Sequence, residues 1–233
     1  MEAIFHGHSF VELFFENKRI LIDPFIIGNP LCDVTEEYYD NKQIDGIIVT
    51  HGHDDHIGST QALAKKHECV VITSYELGKY FENELKIDKV STHWIWWRVQ
   101  YDWFCVKFVL ALHGWGISDF THWYTTVAAW VVVTTEKNSV YHAWDTGLYS
   151  DMNLLCDKNI DVAFLPIWDR YTMWVEDAVT AASLIKAKYT VPMHYNTRDK
   201  IKVNDLEFAR LVMLSNMSVP KVLRPGQWIV LES

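Results

Sequence analysis

Positive charge is in deficit in this chain: 21 Lys and Arg stand against 30 Asp and Glu, a formal net charge of −9. A nucleic-acid protein carries a basic face, so this balance argues against a nucleic-acid partner. Cysteine is also scarce. The four residues Cys32, Cys69, Cys105 and Cys156 are far apart and form no C-x-x-C pair. Free thiols in a reducing cytoplasm are the simplest reading. Long apolar runs are missing too. The longest, Val127 to Val133, is far too short to span a bilayer, so no membrane partner is expected. No basic N-terminal segment leads into an apolar stretch, so no signal peptide is expected. No linker composition breaks the chain. One domain over residues 1–233 is expected, and an apolar fraction of 49% suffices for a large core.

What the chain does have is histidine in a pattern. His51-Gly52-His53-Asp54-Asp55-His56 places three imidazoles within six residues, directly after the β-branched run Ile44 to Thr50. That run reads as a buried strand, so the cluster leaves a strand's C-terminal end, where α/β folds hold ligands and metals. His51 and His53 alternate and can reach one ion together. Asp55 and His56 follow once the chain has turned and can face a second. The helical H-E-x-x-H zinc pattern is absent, and Gly52 and Gly58 bracket the cluster, which favours a loop. A surface cluster without a role is the plain alternative.

Taken in order, residues 3–8, 10–16 and 18–23 read as a β-meander, with His6, Gly7, His8 and Ser9 at its first bend. Strand 45–50 delivers the cluster. A helix capped by Ser59 or Thr60 runs to about His67, a buried strand covers 69–73, and a helix capped by Ser74 runs to about Glu84. Residues 89–109 alternate as antiparallel strands do, and 111–125 form a loop. Strands are expected at 127–134, 140–143, 161–166 and 189–193. Helices are expected at 151–157, 175–187 and, capped by Asn204, 205–214; one or two strands close the chain over 222–231. This order implies two β-α halves: an α/β, four-layer αβ/βα sandwich with two mixed sheets inside and helices outside.

Three more candidate ligands each follow a strand: His113, Asp145 and His194. Alone, each has an ordinary reading, as a loop histidine, a turn aspartate before Thr-Gly, and a strand cap. Together, strand ends of one sandwich edge converge in space, and rigid strand ends hold metal geometry well. Asp23 is expected to support the ligand loop from behind, with His8 and His142 as further supporting groups. Arg170 and Arg198 are candidates to clamp an anionic substrate, and Tyr195 and Asn196 to donate to an oxyanion.

The order His-x-His-x-Asp-His, then His, Asp and His, resembles the metallo-β-lactamase fold superfamily. The stretches Leu21-Ile22-Asp23-Pro24-Phe25, Val49-Thr50-His51-Gly52-His53, Tyr141-His142-Ala143, Asp145-Thr146-Gly147-Leu148 and Pro192-Met193-His194-Tyr195-Asn196-Thr197 resemble its metal-dependent hydrolase branch. That branch is related to the ascorbate-6-phosphate lactonases. The resemblance implies a cytoplasmic hydrolase with two divalent metal ions per chain, zinc or manganese first, nickel or iron as alternatives. His51, His53 and His113 would hold the first ion, and Asp55, His56 and His194 the second, with Asp145 bridging. Asp55 and His194 are the implied catalytic residues. Such a pair of ions lowers the pKa of a shared water and polarises the substrate. The implied substrate is a small anionic ester or lactone. A phosphodiesterase or nuclease on the same site is the alternative, and self-association into a homo-oligomer stays open.

One departure stands out. All eleven Trp lie from Trp94 onward, and the branch usually carries Gly where Trp96, Trp97, Trp144, Trp168 and Trp174 stand. Such glycines often permit positive φ or close backbone approach. Trp144 directly precedes Asp145, so a metal-binding protein with little turnover, its pocket crowded by Trp, is a further alternative.

Overall fold

The computed structural model describes residues 1–114, 116–117 and 129–232, without the side chains of 129 and 130. The chain divides into two compact units, one of Met1–Trp97, Gly114–Ala129 and Arg224–Val230, the other of Arg98–His113, Trp130–Leu223 and Leu231–Ser233. Each carries a mixed sheet of seven strands.

The first unit opens with the expected meander: β1 (Glu2–Phe5), β2 (Val11–Phe15) and β3 (Lys18–Ile22). Glu16 and Asn17, at φ 49° and 60°, make the two-residue hairpin between β2 and β3. Both central residues at positive φ match the right-handed twist of the strands. Parallel strands follow, β4 (Gly46–Ile48), β5 (Val70–Ser74) and β6 (Val90–His93), and β14 (Gln227–Val230) pairs with β1. The helices α1 (Asp54–Ile57), α2 (Thr60–His67) and α3 (Tyr75–Asn83) connect the parallel strands. Phe10, Leu21, Val49, Leu63, Leu77 and Phe81 join the core between this sheet and its helices.

The second unit orders β13 (Val219–Pro220), β12 (Tyr189–Met193), β11 (Val162–Pro166), β10 (Ser139–His142), β9 (Ala129–Thr134), β8 (Cys105–Leu110) and β7 (Arg98–Gln100). Strands β10 to β13 run parallel, and β11 is buried along its whole length, as an apolar strand covered on both faces should be. Helices α4 (Val175–Ile185) and α5 (Asp205–Ser215) belong to this unit. Asn204 caps α5 as expected, its side chain accepting from the amides of Leu206 and Glu207.

Four expectations change. Residues 90–93 pair parallel with β5, while β7 and β8 pair antiparallel with each other as expected. Alternation reports a half-buried face and says nothing about direction. Residues 150–155 form a 3-10 helix instead of an α-helix. The metal-type cluster does not stay in loop, because Asp54–Ile57 closes a helical turn. The caps named for the second and third helices also fail: neither Ser59 nor Ser74 makes a side-chain cap bond. Most of the expected 111–125 loop, and residues 127–128 of the expected strand, lie outside the described residues. All four cysteines are free thiols, Cys69 and Cys105 buried. Among the described residues, no helix is long and apolar enough to cross a membrane.

Candidate metal centre

In the first unit the buried strand β4 runs out through Val49 and Thr50 into a bend at His51–His53, and α1 begins at Asp54. Gly58 ends that turn at φ 45°, where a Cβ would collide with the Pro24 carbonyl, so this position admits only glycine. Asp23 is the anchor. Fully buried, it accepts from the Thr50 amide at 2.9 Å, the Thr50 hydroxyl at 2.6 Å and His56 Nδ1 at 2.8 Å. A neutral His56 whose Nδ1 donates to Asp23 carries its lone pair on Nε2, the arrangement typical of a metal-ligating histidine with a carboxylate behind it.

The other donors of this unit gather around His56. His51 Nε2 lies 2.7 Å from His53 Nδ1, and the His51 ring centroid is 4.2 Å from that of His56. His8 Nε2 is 3.0 Å from Asp55 Oδ2. Donor atoms of His8, Asp55 and His56 all lie within 4.8 Å of one another. Burial, then the neighbouring His56, hold the His53 imidazole below its ordinary value. The neutral form is the one that binds a cation.

In the second unit each donor follows a strand: His113 after β8, Asp145 after β10, His194 after β12. The Asp145 carboxylate has an imidazole on each oxygen. Oδ1 is 3.1 Å from His194 Nε2, and Oδ2 is 3.4 Å from His113 Nε2. His113 Nδ1 donates to the Tyr171 carbonyl at 3.0 Å, which puts the lone pair of a neutral His113 on the nitrogen facing Asp145. A lone pair facing a carboxylate oxygen is repulsive unless a proton or cation lies between them. The donor chemistry therefore fits a divalent ion. Thr146 and Gly147 tie this turn down: the Leu112 amide donates to the Thr146 hydroxyl and the Gly147 amide to the Leu112 carbonyl.

Positive φ occurs in and beside the site: His8, Asp23, Trp144 and His194 sit at φ 59°, 49°, 25° and 57°. Non-glycine residues reach this region in turns and caps, as Glu16 and Asn17 do, but for the bulky Trp144 it is strained. Trp144 is fully buried, with its ring edge-on to His113 at 5.9 Å, and Trp168 stacks on His194 at 5.5 Å and 10°. Trp96 also has a positive φ, 69°.

The remaining candidates are placed differently. His8, expected only as support, stands among the donors, at a bend where Gly7 has φ 96°. The His-Gly-His spacing of residues 6–8 was the signal for it. His142 is buried on β10 beside Phe164. The Tyr195 hydroxyl donates to Asp205 Oδ2, and the Asn196 amide bonds both polar groups of the Val203 backbone, so both side chains are engaged with the chain itself. Arg170 and Arg198 are exposed. One group escaped the sequence reading altogether: the Tyr171 carbonyl, which carries no side-chain signature. Trp168 is singled out by the sequence as a departure, and its ring stands on His194.

The family model described as a beta-lactamase superfamily domain matches residues 18–195. A UPF0173 metal-dependent hydrolase from Bacillus mycoides is 44% identical over 237 residues, covering 99% of this chain and 100% of that protein. Another, from Bacillus thuringiensis subsp. konkukian, is 43% identical over the same span. Among solved structures, Igni18, a metallo hydrolase from the hyperthermophilic archaeon Ignicoccus hospitalis, superimposes with a TM-score of 0.88 at 28% identity, covering 100% of this chain and 98% of its own.

Proposed function

This chain belongs to the UPF0173 metal-dependent hydrolases of the metallo-β-lactamase superfamily, and on that premise we propose that it hydrolyses a small anionic ester or lactone at a binuclear centre. His51, His53 and His113 would hold one ion, and Asp55, His56 and His194 the other, with Asp145 as a ligand common to both sets. Five imidazoles among seven donors suit zinc, and the two carboxylates keep manganese in range. When bound, the two cations supply Lewis acidity that lowers the pKa of water and draws charge from the substrate's carbonyl oxygen.

The residues' own work follows from where they stand. Asp23 holds His56 in one tautomer and fixes the entry of the His51 bend through Thr50. Asp55, with 30% of its side chain exposed, takes the proton released by water at Oδ2, beside His8 Nε2, and can pass it to solvent. His194 is kept in plane by Trp168. The exposed guanidinium groups of Arg170 and Arg198 supply the clamp for the substrate's negative charge. Tyr195 and Asn196, committed to Asp205 and Val203, act by shaping the loop after β12.

The observation that carries this reading is Asp145, with an imidazole nitrogen facing each of its two oxygens. A second reading, metal binding with little turnover, is favoured by the Trp144 and Trp168 rings packed on His113 and His194. Elemental analysis after reconstitution, followed by assay on chromogenic esters, lactones and phosphodiesters, separates the two. Two ions with ester or lactone turnover supports the first. Two ions without turnover supports the second. A chain that stays metal-free sinks both.

A further inference from the structure

The ends of β5 and β6 carry a cavity that the hydrolase reading does not use. It encloses about 450 Å³ and is lined by Ser74, Glu76, His93, Trp94, Ile95 and Trp97, all in the first unit. That volume is in the range of small-molecule sites. Its floor is a paired residue couple, since Ser74 at the end of β5 lies in register with His93 at the end of β6. Its walls are indoles. Trp94 and Trp97 are 55% and 67% exposed, so both indoles are accessible to a ligand.

We propose that this cavity is a binding site for a small organic ammonium ion. Two features choose that class. Indole faces are the strongest cation–π partners among side chains. Glu76 lines the same cavity, and no ion pair to its carboxylate occurs among the described residues.

Glu76 stands in the first turn of α3 and offsets the electropositive helix end that borders the cavity. Burial holds the His93 imidazole below its ordinary value, so it is uncharged near neutral pH and adds no repulsion. Lys79, the near basic residue on α3, is already paired with Glu82 at 2.6 Å. Its ammonium lies 5.4 Å from the Tyr75 ring centroid, and Tyr75 stacks on Trp94 at 5.4 Å and 9°, so the aromatic group already carries one cation at its margin. An anionic ligand would meet Glu76 and is disfavoured. This inference does not rest on the hydrolase reading, and hydrolysis can fail while it stands.

The test is calorimetric titration of the purified protein in an amine-free buffer with choline and with 3,3-dimethyl-1-butanol, its neutral carbon isostere. Choline should bind once per chain, about tenfold or more tighter than the isostere. Glu76→Gln and Trp97→Ala should each weaken choline several-fold while near-ultraviolet circular dichroism and the thermal midpoint stay close to the parent's. Both positions are at least partly exposed, so the variants should fold. Equal binding of the two probes would make the cavity merely apolar and overturn the proposal. So would choline binding that neither substitution changes, or no saturable binding at all.

Discussion

The two units build their donors by different means. In the first, four of the five candidate donors come from one segment, His51 to His56, and one buried carboxylate, Asp23, holds both the entry to that segment and His56 within it. In the second, three donors come from the ends of three strands. What steadies them is a backbone carbonyl, two Trp rings and Asp145 itself. The first set rests on a polar network that is complete without an ion. The second points an imidazole lone pair at a carboxylate and gains most when a cation arrives. Preorganisation therefore sits mainly in the first unit, and dependence on the ion mainly in the second.

The sharpest way to break that contrast is to remove donors. Asp145→Ala should bring bound metal from two ions per chain to one or fewer and lower hydrolysis at least about 100-fold, more than loss of an outer partner usually costs. His53→Ala and His194→Ala should each remove most of the activity. His142→Ala, which alters a buried β10 residue outside the donor set, should keep it, measured as turnover per folded molecule. If His142→Ala proves as damaging as His194→Ala, the ligand set is misassigned.

Support should matter unequally. Asp23→Asn leaves an amide facing donors that Asp23 now satisfies, so metal affinity should fall about 10–100-fold and stability by about 3 kcal/mol. Trp168→Phe keeps a ring on His194 and should change affinity only a few-fold, since such stacking is worth about 1 kcal/mol. Competition with a chelating dye reads both. Equal losses in the two variants would mean that polar and aromatic support are equivalent here.

The same contrast explains what the sequence reveals. A contiguous segment announces itself: residues 51–56 are legible because their spacing is local, and the strand before them because β-branched residues cluster. The dispersed donors His113, Asp145 and His194 are legible only through their common place after strands and through resemblance. Strand direction was not legible, and β6 shows why: four residues, three of them half-buried, carry no pattern that separates parallel from antiparallel pairing. The helical turn at Asp54–Ile57 is shorter than any periodicity can reveal. His8 was only partly legible: the His-Gly-His spacing of residues 6–8 marks it, but its place among the donors depends on the left-handed bend at Gly7 and His8.

Trp144 tests the second unit at lower amplitude. Replacing this buried ring by Gly should lose about 3–5 kcal/mol of packing and recover about 1–2 kcal/mol of backbone strain at φ 25°, for a net loss of about 2 kcal/mol. Because the ring abuts His113, hydrolysis should stay equal or rise. Nickel should dim the parent's Trp fluorescence, and Trp144→Gly should remove much of that loss. Unchanged fluorescence with two nickel ions bound would place Trp144 away from the ions.

The smallest effect belongs to a polar network of the first unit that lies outside the donor set. Glu12 on β2 is buried, with Arg19 Nε donating to Oε1 at 2.7 Å, the Tyr39 hydroxyl donating to Oε2 at 2.9 Å, and His6 Nε2 3.4 Å from Oε2. Burial by itself would raise this carboxyl, but the hydrogen bonds from His6 and Arg19 outweigh it and hold it below its ordinary 4.5. A carboxylate depressed in the folded state adds stability that is present above the unfolded value and is lost as pH falls through the folded one. Glu12→Gln keeps an acceptor for Arg19 but removes the charge. At pH 7 it should therefore cost about 1–2 kcal/mol, the difference a charged hydrogen bond makes. Below about pH 4.5 the gap between parent and variant should close, because the parent then protonates the same carboxylate. Urea midpoints of both proteins across this range measure the gap directly, and any acid loss of metal cancels between them. A gap as wide at pH 3 as at pH 7 would show that Glu12 acts through packing and not through its charge.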